Sequence, residues 1–184
     1  YILDAAQGNI DRWVRSGEWE SSIPDSTGCY YRLYTCHDMH QLLTAYQTML
    51  HEYGSMKEYI RRNATTGIEA IEALCLFFAQ HGADKIIPKN TTSACKRVCM
   101  FLRWMVRSGS PVDLGLWADI IDRRTLIMPL DTHVVQEAQR MNLLQSRTAS
   151  MSTARRLTDT MLKIFPDDPL KGDFALFGLG VDNK

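Results

Sequence analysis

The chain has 184 residues, 45% hydrophobic and 23% charged, with 21 basic and 21 acidic side chains that leave no formal net charge. That length buries a core without disulfide or metal help, and the composition argues against disorder. Balanced charge excludes a uniformly basic nucleic-acid coat but leaves room for a local basic face.

The longest apolar runs, such as residues 73–79, fall far short of the ~18 residues that cross a bilayer, so no membrane span is expected. No basic, Ser-rich leader is expected, and because the first residue is Tyr1 rather than Met, a natural start ahead of it is expected. Five cysteines, an odd count, point to reduced thiols and a cytoplasmic protein.

In chain order, Asp38 with Gln41, Ser55 with Glu58, and Thr66 with Glu69 read as capping boxes and predict three helix starts. The first leads through Leu42, Leu43, Tyr46 and Leu50 to a stop near Gly54. The third carries Ile68, Ile71, Leu74, Leu76, Phe77 and Phe78 to Gly82. A further helix is expected from Ser93 to Arg107, capped by Thr91, Thr92 or Ser93, with Gly109 just beyond its end. Asp131 caps another, with Val134, Ala138 and Met141 as its buried stripe and Asn142 as its stop. Ser152 to Phe165 follows, ended by Pro166, and Asp168 with Pro169 opens a last short helix. Only Thr125 to Leu130 resembles a strand. The fold class is therefore all-α, with short connections.

A metal reading can be built from Cys29, Cys36, His37 and His40. Their spacing matches no common zinc module, so neither metal nor cofactor is expected.

From Lys85 to Arg107 the chain has six basic residues and no acidic one. On a helix Lys96, Arg103 and Arg107 share one face, while Val98, Phe101, Leu102 and Met105 serve the core. A cationic helix face suits a phosphate backbone, and it equally suits a plain solvated surface. Lys96 stands in the first turn among Ala94, Cys95, Val98 and Cys99. Partial burial and the positive helix end there favour a neutral amine able to form a Schiff base, the alternative being an ordinary exposed lysine. Asp131 looks like a helix cap, and at a cleft edge a capping carboxylate can also stabilise a cation developing on a sugar. His133 reads as a structural hydrogen-bonding residue.

Pro129-Leu130-Asp131-Thr132-His133-Val134 resembles the aspartate-bearing signature of the helix-hairpin-helix DNA glycosylases, the superfamily of endonuclease III. Three further blocks look like an uncharacterised bacterial branch of it. They are Ala94-Cys95-Lys96-Arg97 with Phe101 to Arg107, Val112 to Trp117, and Asp167-Asp168-Pro169 with Asp173 to Gly180.

The resemblance, strongest from Lys96 to Val181, implies one glycosylase-like helical domain over 1–184. Within it lie a helical lobe (1–83), a hairpin, lysine and aspartate region (84–145) and C-terminal helices (146–184), with some N-terminal helices of the family missing. It assigns Lys96 as the amine that attacks C1′ of a damaged nucleotide and Asp131 as the carboxylate supporting charge on the sugar. The separation of 35 positions is closer to the archaeal 8-oxoguanine glycosylase type than to endonuclease III.

Double-stranded DNA containing a damaged base or abasic site is the implied partner. Thr92, Ser93, Arg97, Arg103 and Arg107 are the expected phosphate contacts, and Trp104 and Trp117 the expected base-pocket aromatics. The superfamily hairpin has two glycines before the lysine, whereas this one reads Thr92-Ser93-Ala94-Cys95. No cysteine follows Cys99, so the carboxy-terminal iron-sulfur cluster of endonuclease III is not expected. The implied activity is base excision with strand cleavage through a lysine Schiff base. The alternative is a non-catalytic DNA-binding module on the same fold.

Overall fold

Local capping chemistry fixes most of the helix starts. The computed structural model describes residues 1–182. Among them are ten α-helices, one 3-10 turn and one two-stranded antiparallel sheet, so the chain is predominantly helical as expected. The residues gather into two compact units, one of 1–62 with 75–89 and the other of 63–74 with 90 onward.

The first unit contains α1 (Ile2–Ala5), α2 (Ile10–Ser16), α3 (Trp19–Ser22), β1 (Cys29–Tyr31), β2 (Tyr34–Thr35), α4 (Cys36–Tyr53) and α5 (Met56–Asn63), with the second part of α6 (Gly67–Gln80). Trp13, Val14, Trp19, Ile23, Leu43 and Leu50 are buried together in one of its clusters. Tyr53, Tyr59 and Phe77 meet edge to face nearby in sequence. The strands were not anticipated. They pair Cys29 with Thr35 and Tyr31 with Tyr34 around a turn in which Arg32 takes φ +53° without a glycine to announce it.

Helix α4 opens three residues before the expected cap. The Thr35 hydroxyl accepts from the Asp38 amide (3.2 Å), and the Asp38 carboxylate accepts from the Thr35 amide (2.7 Å), so Asp38 closes a box instead of opening one. The Asp38 carboxylate also pairs with Lys85 Nζ at 2.8 Å. Hydrogen bonding from Lys85, then from the Thr35 amide, holds its carboxyl down to about 2.

Two other expected caps stand as read. Ser55 accepts from the Glu58 amide at 3.1 Å. Thr66 and Glu69 exchange bonds reciprocally, at 3.4 and 3.0 Å.

The second unit holds the first part of α6, then α7 (Lys96–Val106), the 3-10 turn Arg123–Thr125, α8 (Thr132–Arg140), α9 (Met151–Ile164) and α10 (Lys171–Asp182). The expected strand at Thr125 to Leu130 is instead the end of that turn followed by a buried run without helix or strand hydrogen bonding. Its apolar residues are buried, and the Met128 amide finds its acceptor in the Thr158 hydroxyl at 3.0 Å. Gly67 starts α6 against this run. Its amide donates to Thr125 Oγ1 at 2.8 Å, and a Cβ there would lie 2.5 Å from the Thr125 carbonyl oxygen.

Helix α8 packs against α10, which is longer than the short terminal helix expected. Met141, expected in the stripe of α8, is its exposed C-cap, while Val134 and Ala138 are buried. Among the described residues no helix is long and apolar enough to cross a membrane.

Candidate active site

The site is built from two helix starts within the second unit. Helix α7 begins at Lys96, later than the expected Ser93, because Ser93 forms an antiparallel bridge with Ser150 and Cys95 turns left-handed (φ +46°, ψ +38°). No side chain caps the helix. A non-glycine residue in that conformation is costly, by about 1–2 kcal/mol. Burial of Cys95 and sulfur contacts to the Asn90 and Ser93 carbonyls hold it there. The Ser93 hydroxyl accepts from the Cys95 amide at 3.4 Å, and Thr92 donates its amide to Asn90.

Helix α8 begins one residue after Asp131, as its sequence predicts. Asp131 Oδ1 accepts from the Val134 amide at 2.9 Å, leaving Oδ2 for another partner. That partner is Lys96, whose Nζ lies 2.5 Å from Oδ2 across 35 residues of chain. Both side chains reach solvent, Lys96 at 43% and Asp131 at 25% of full exposure.

Burial pushes the Asp131 carboxyl upward, but the hydrogen bonds from Lys96 and the Val134 amide, with the charges of Lys96 and His133, outweigh it and leave its pKa lowered. A carboxylate so stabilised is a poor proton acceptor and a durable negative charge. Beside an amine, that arrangement suits stabilising a developing cation better than general-base work. His133 itself is exposed.

The other expected DNA contacts divide. Arg97 is exposed on the first turn of α7. Arg103 and Arg107 are not surface cations: they are 1% and 9% exposed, and a buried guanidinium demands carboxylates. Arg103 donates to Asp173 and lies 3.5 Å from Asp113. Arg107 donates to Asp113 at 2.8 Å and to Asp168 at 3.0 Å. The spacing that grouped both with Lys96 on one cationic face says nothing of cover: Lys96 is exposed, whereas Arg103 and Arg107 point into the interior.

Asp113, Asp168 and Asp173 are partners that the sequence marks only by their place in the distinctive blocks, Asp113 between Val112 and Leu114 most plainly. Burial raises the Asp173 carboxyl against the pull of Arg103, and the charges of Lys96 and Arg107 also act on it. Trp117 is likewise buried, edge-on to Phe101 at 5.3 Å, and is a core residue rather than a pocket wall. Trp104 is 39% exposed.

No group of three or more metal-ligating side chains comes together among the described residues. The chain matches the model of DUF2400, a protein family of unknown function, over residues 2–182, and it belongs to that family. No curated protein and no solved structure matches it.

Proposed function

We propose that this chain is a DNA base-excision glycosylase with abasic-site lyase activity, and that a damaged base such as 8-oxoguanine is its substrate. The observation that carries the reading is the 2.5 Å approach of the Lys96 amine to the Asp131 carboxylate, both open to solvent, from helix starts remote in sequence. Lys96, which meets Asp131 as an ammonium, gives up a proton to water; its amine then attacks C1′, and the glycosidic bond breaks with its electron pair leaving on the base, which takes up a proton. Asp131 faces the positive charge that builds on the sugar. Opening of the sugar ring leaves an imine between Nζ and C1′, and loss of a C2′ proton then expels the 3′ phosphate. A base in the helix stack is out of reach of such a lysine, so the nucleotide must be extruded first.

A second reading, a non-catalytic DNA-binding module, draws on the loop before Lys96. It has no glycine from Thr91 to Cys95, and its Ser93 hydroxyl is engaged internally. Borohydride reduction in the presence of duplex DNA bearing 8-oxoguanine or an abasic site separates the two. A covalent adduct that is absent from Lys96→Gln supports the enzyme. Duplex binding without an adduct on any lesion supports the module, and no duplex binding defeats both.

A further inference from the structure

The internal burial of Arg103 and Arg107 leaves the question of which cations face a polyanion. Between Glu137 and Asp159 the chain carries four arginines and no carboxylate. Arg140 is tied to Glu137 at 3.2 Å. Arg147, Arg155 and Arg156 are exposed, and their guanidinium groups make no hydrogen bond or ion pair with any described residue. On α9, Ser152, Arg155 and Arg156 share one exposed face at i, i+3 and i+4, and the sign changes only at Asp159, one turn later.

This segment is fixed in place beside the candidate active site. Ser150, which caps α9, bridges to Ser93, three residues before Lys96. Solvated guanidinium groups with no carboxylate partner among the described residues, next to the exposed Ser152 whose hydroxyl lies 3.0 Å from Ser150 Oγ, match the donor set that binds phosphodiesters without reading bases.

We infer that residues 147–156 form a phosphodiester-binding surface for duplex DNA, in which Arg147, Arg155 and Arg156 supply the cations and Ser152 a hydroxyl donor. The inference rests on the proposed function for the identity of its partner. It transfers the phosphate contacts expected of Arg103 and Arg107 to the loop and first turns of α9.

The test is fluorescence anisotropy of the whole chain with a labelled duplex containing a tetrahydrofuran abasic-site analogue, across a salt series. The triple variant R147Q/R155Q/R156Q is expected to bind about tenfold or more weakly at moderate salt. Its plot of log K against log salt should be shallower by about 2–3, since each neutralised phosphate contributes about 0.9 to the slope. K163Q, on the same helix beyond Asp159, should leave the slope unchanged.

Wild-type affinity and slope in the triple variant would overturn the surface, as would an equal change in K163Q or a wild type that does not bind duplex. Borohydride trapping on natural abasic DNA reads the other question. Loss of the wild-type adduct with the salt response intact refutes the enzyme and keeps the surface. A retained adduct with unchanged affinity in the triple variant does the reverse.

Discussion

The two ends of α7 carry the same kind of interaction in opposite surroundings. At its start one lysine meets one aspartate in reach of water, and at its end two arginines meet three aspartates out of it. Exposed pairs contribute about 0–1 kcal/mol, because water already solvates both charges and the long side chains lose freedom when held. A buried cluster is different: its net worth against an apolar replacement is small, yet removing one member strands the others without solvent. The exposed end can therefore be spent on chemistry, while the interior end fixes α7 against the loops of Asp113 and Asp168 and the start of α10.

Making the same change at both ends gives the largest contrast. Lys96→Gln should abolish the borohydride adduct while moving unfolding free energy by no more than about 1 kcal/mol. Arg103→Gln should cost about 3–5 kcal/mol in urea unfolding, because Asp113 and Asp173 both lose a buried cation. Equal stability losses at the two ends would break the comparison.

Gly67→Ala should cost about 1–3 kcal/mol in the same measurement, since the new Cβ meets backbone that cannot rotate aside. Its adduct yield at a temperature where it is folded should match wild type, which separates seating of α6 from the site.

Asp131 sharpens the comparison further, because asparagine caps a helix about as well as aspartate does. Asp131→Asn should lower trapping strongly while costing less stability than Asp131→Ala, which loses the cap and about 1 kcal/mol. Equal trapping by wild type and Asp131→Asn would remove the carboxylate from the chemistry.

The smallest effect is in the first unit. Asp38 has a folded pKa of about 2, below its ordinary 3.8, so its ionised form stabilises the fold above the ordinary value. That contribution is lost as pH falls from 3.8 toward 2. The gap in urea midpoint between wild type and Asp38→Asn should be full at pH 6 and shrink across that window. A gap that widens with acid would contradict the Lys85 pairing.

Legibility in the sequence followed the range of the interaction. Caps formed within three residues, as at Ser55, Thr66 and Asp131, were readable because donor and acceptor are near in the chain. At α4 two overlapping boxes competed, and the Thr35 and Asp38 pair won over Asp38 and Gln41. The β-turn at Arg32 is hidden because it uses no glycine, and Thr125 to Leu130 resembles a strand because full burial of an irregular segment produces the same apolar run.

Of the candidate site, Lys96 and Asp131 stand out from their places at helix starts, family resemblance supplies their roles, and their contact required coordinates. The fates of Arg103 and Arg107 were unreadable because their carboxylates lie 6 to 70 residues away. A wheel diagram assigns a face without saying what covers it.

Asp131 divides its two oxygens between architecture and Lys96, and this has a pharmacological consequence. Because Oδ1 is clamped by the start of α8, the carboxylate cannot follow the lysine if that side chain swings toward a sugar. What remains is a fixed anion whose Oδ2 can accept another cation. Under the proposed chemistry, an oligonucleotide carrying a pyrrolidine in place of the lesion sugar would set its ammonium there. Such a mimic should compete with lesion DNA while leaving the backbone of α8 where it stands.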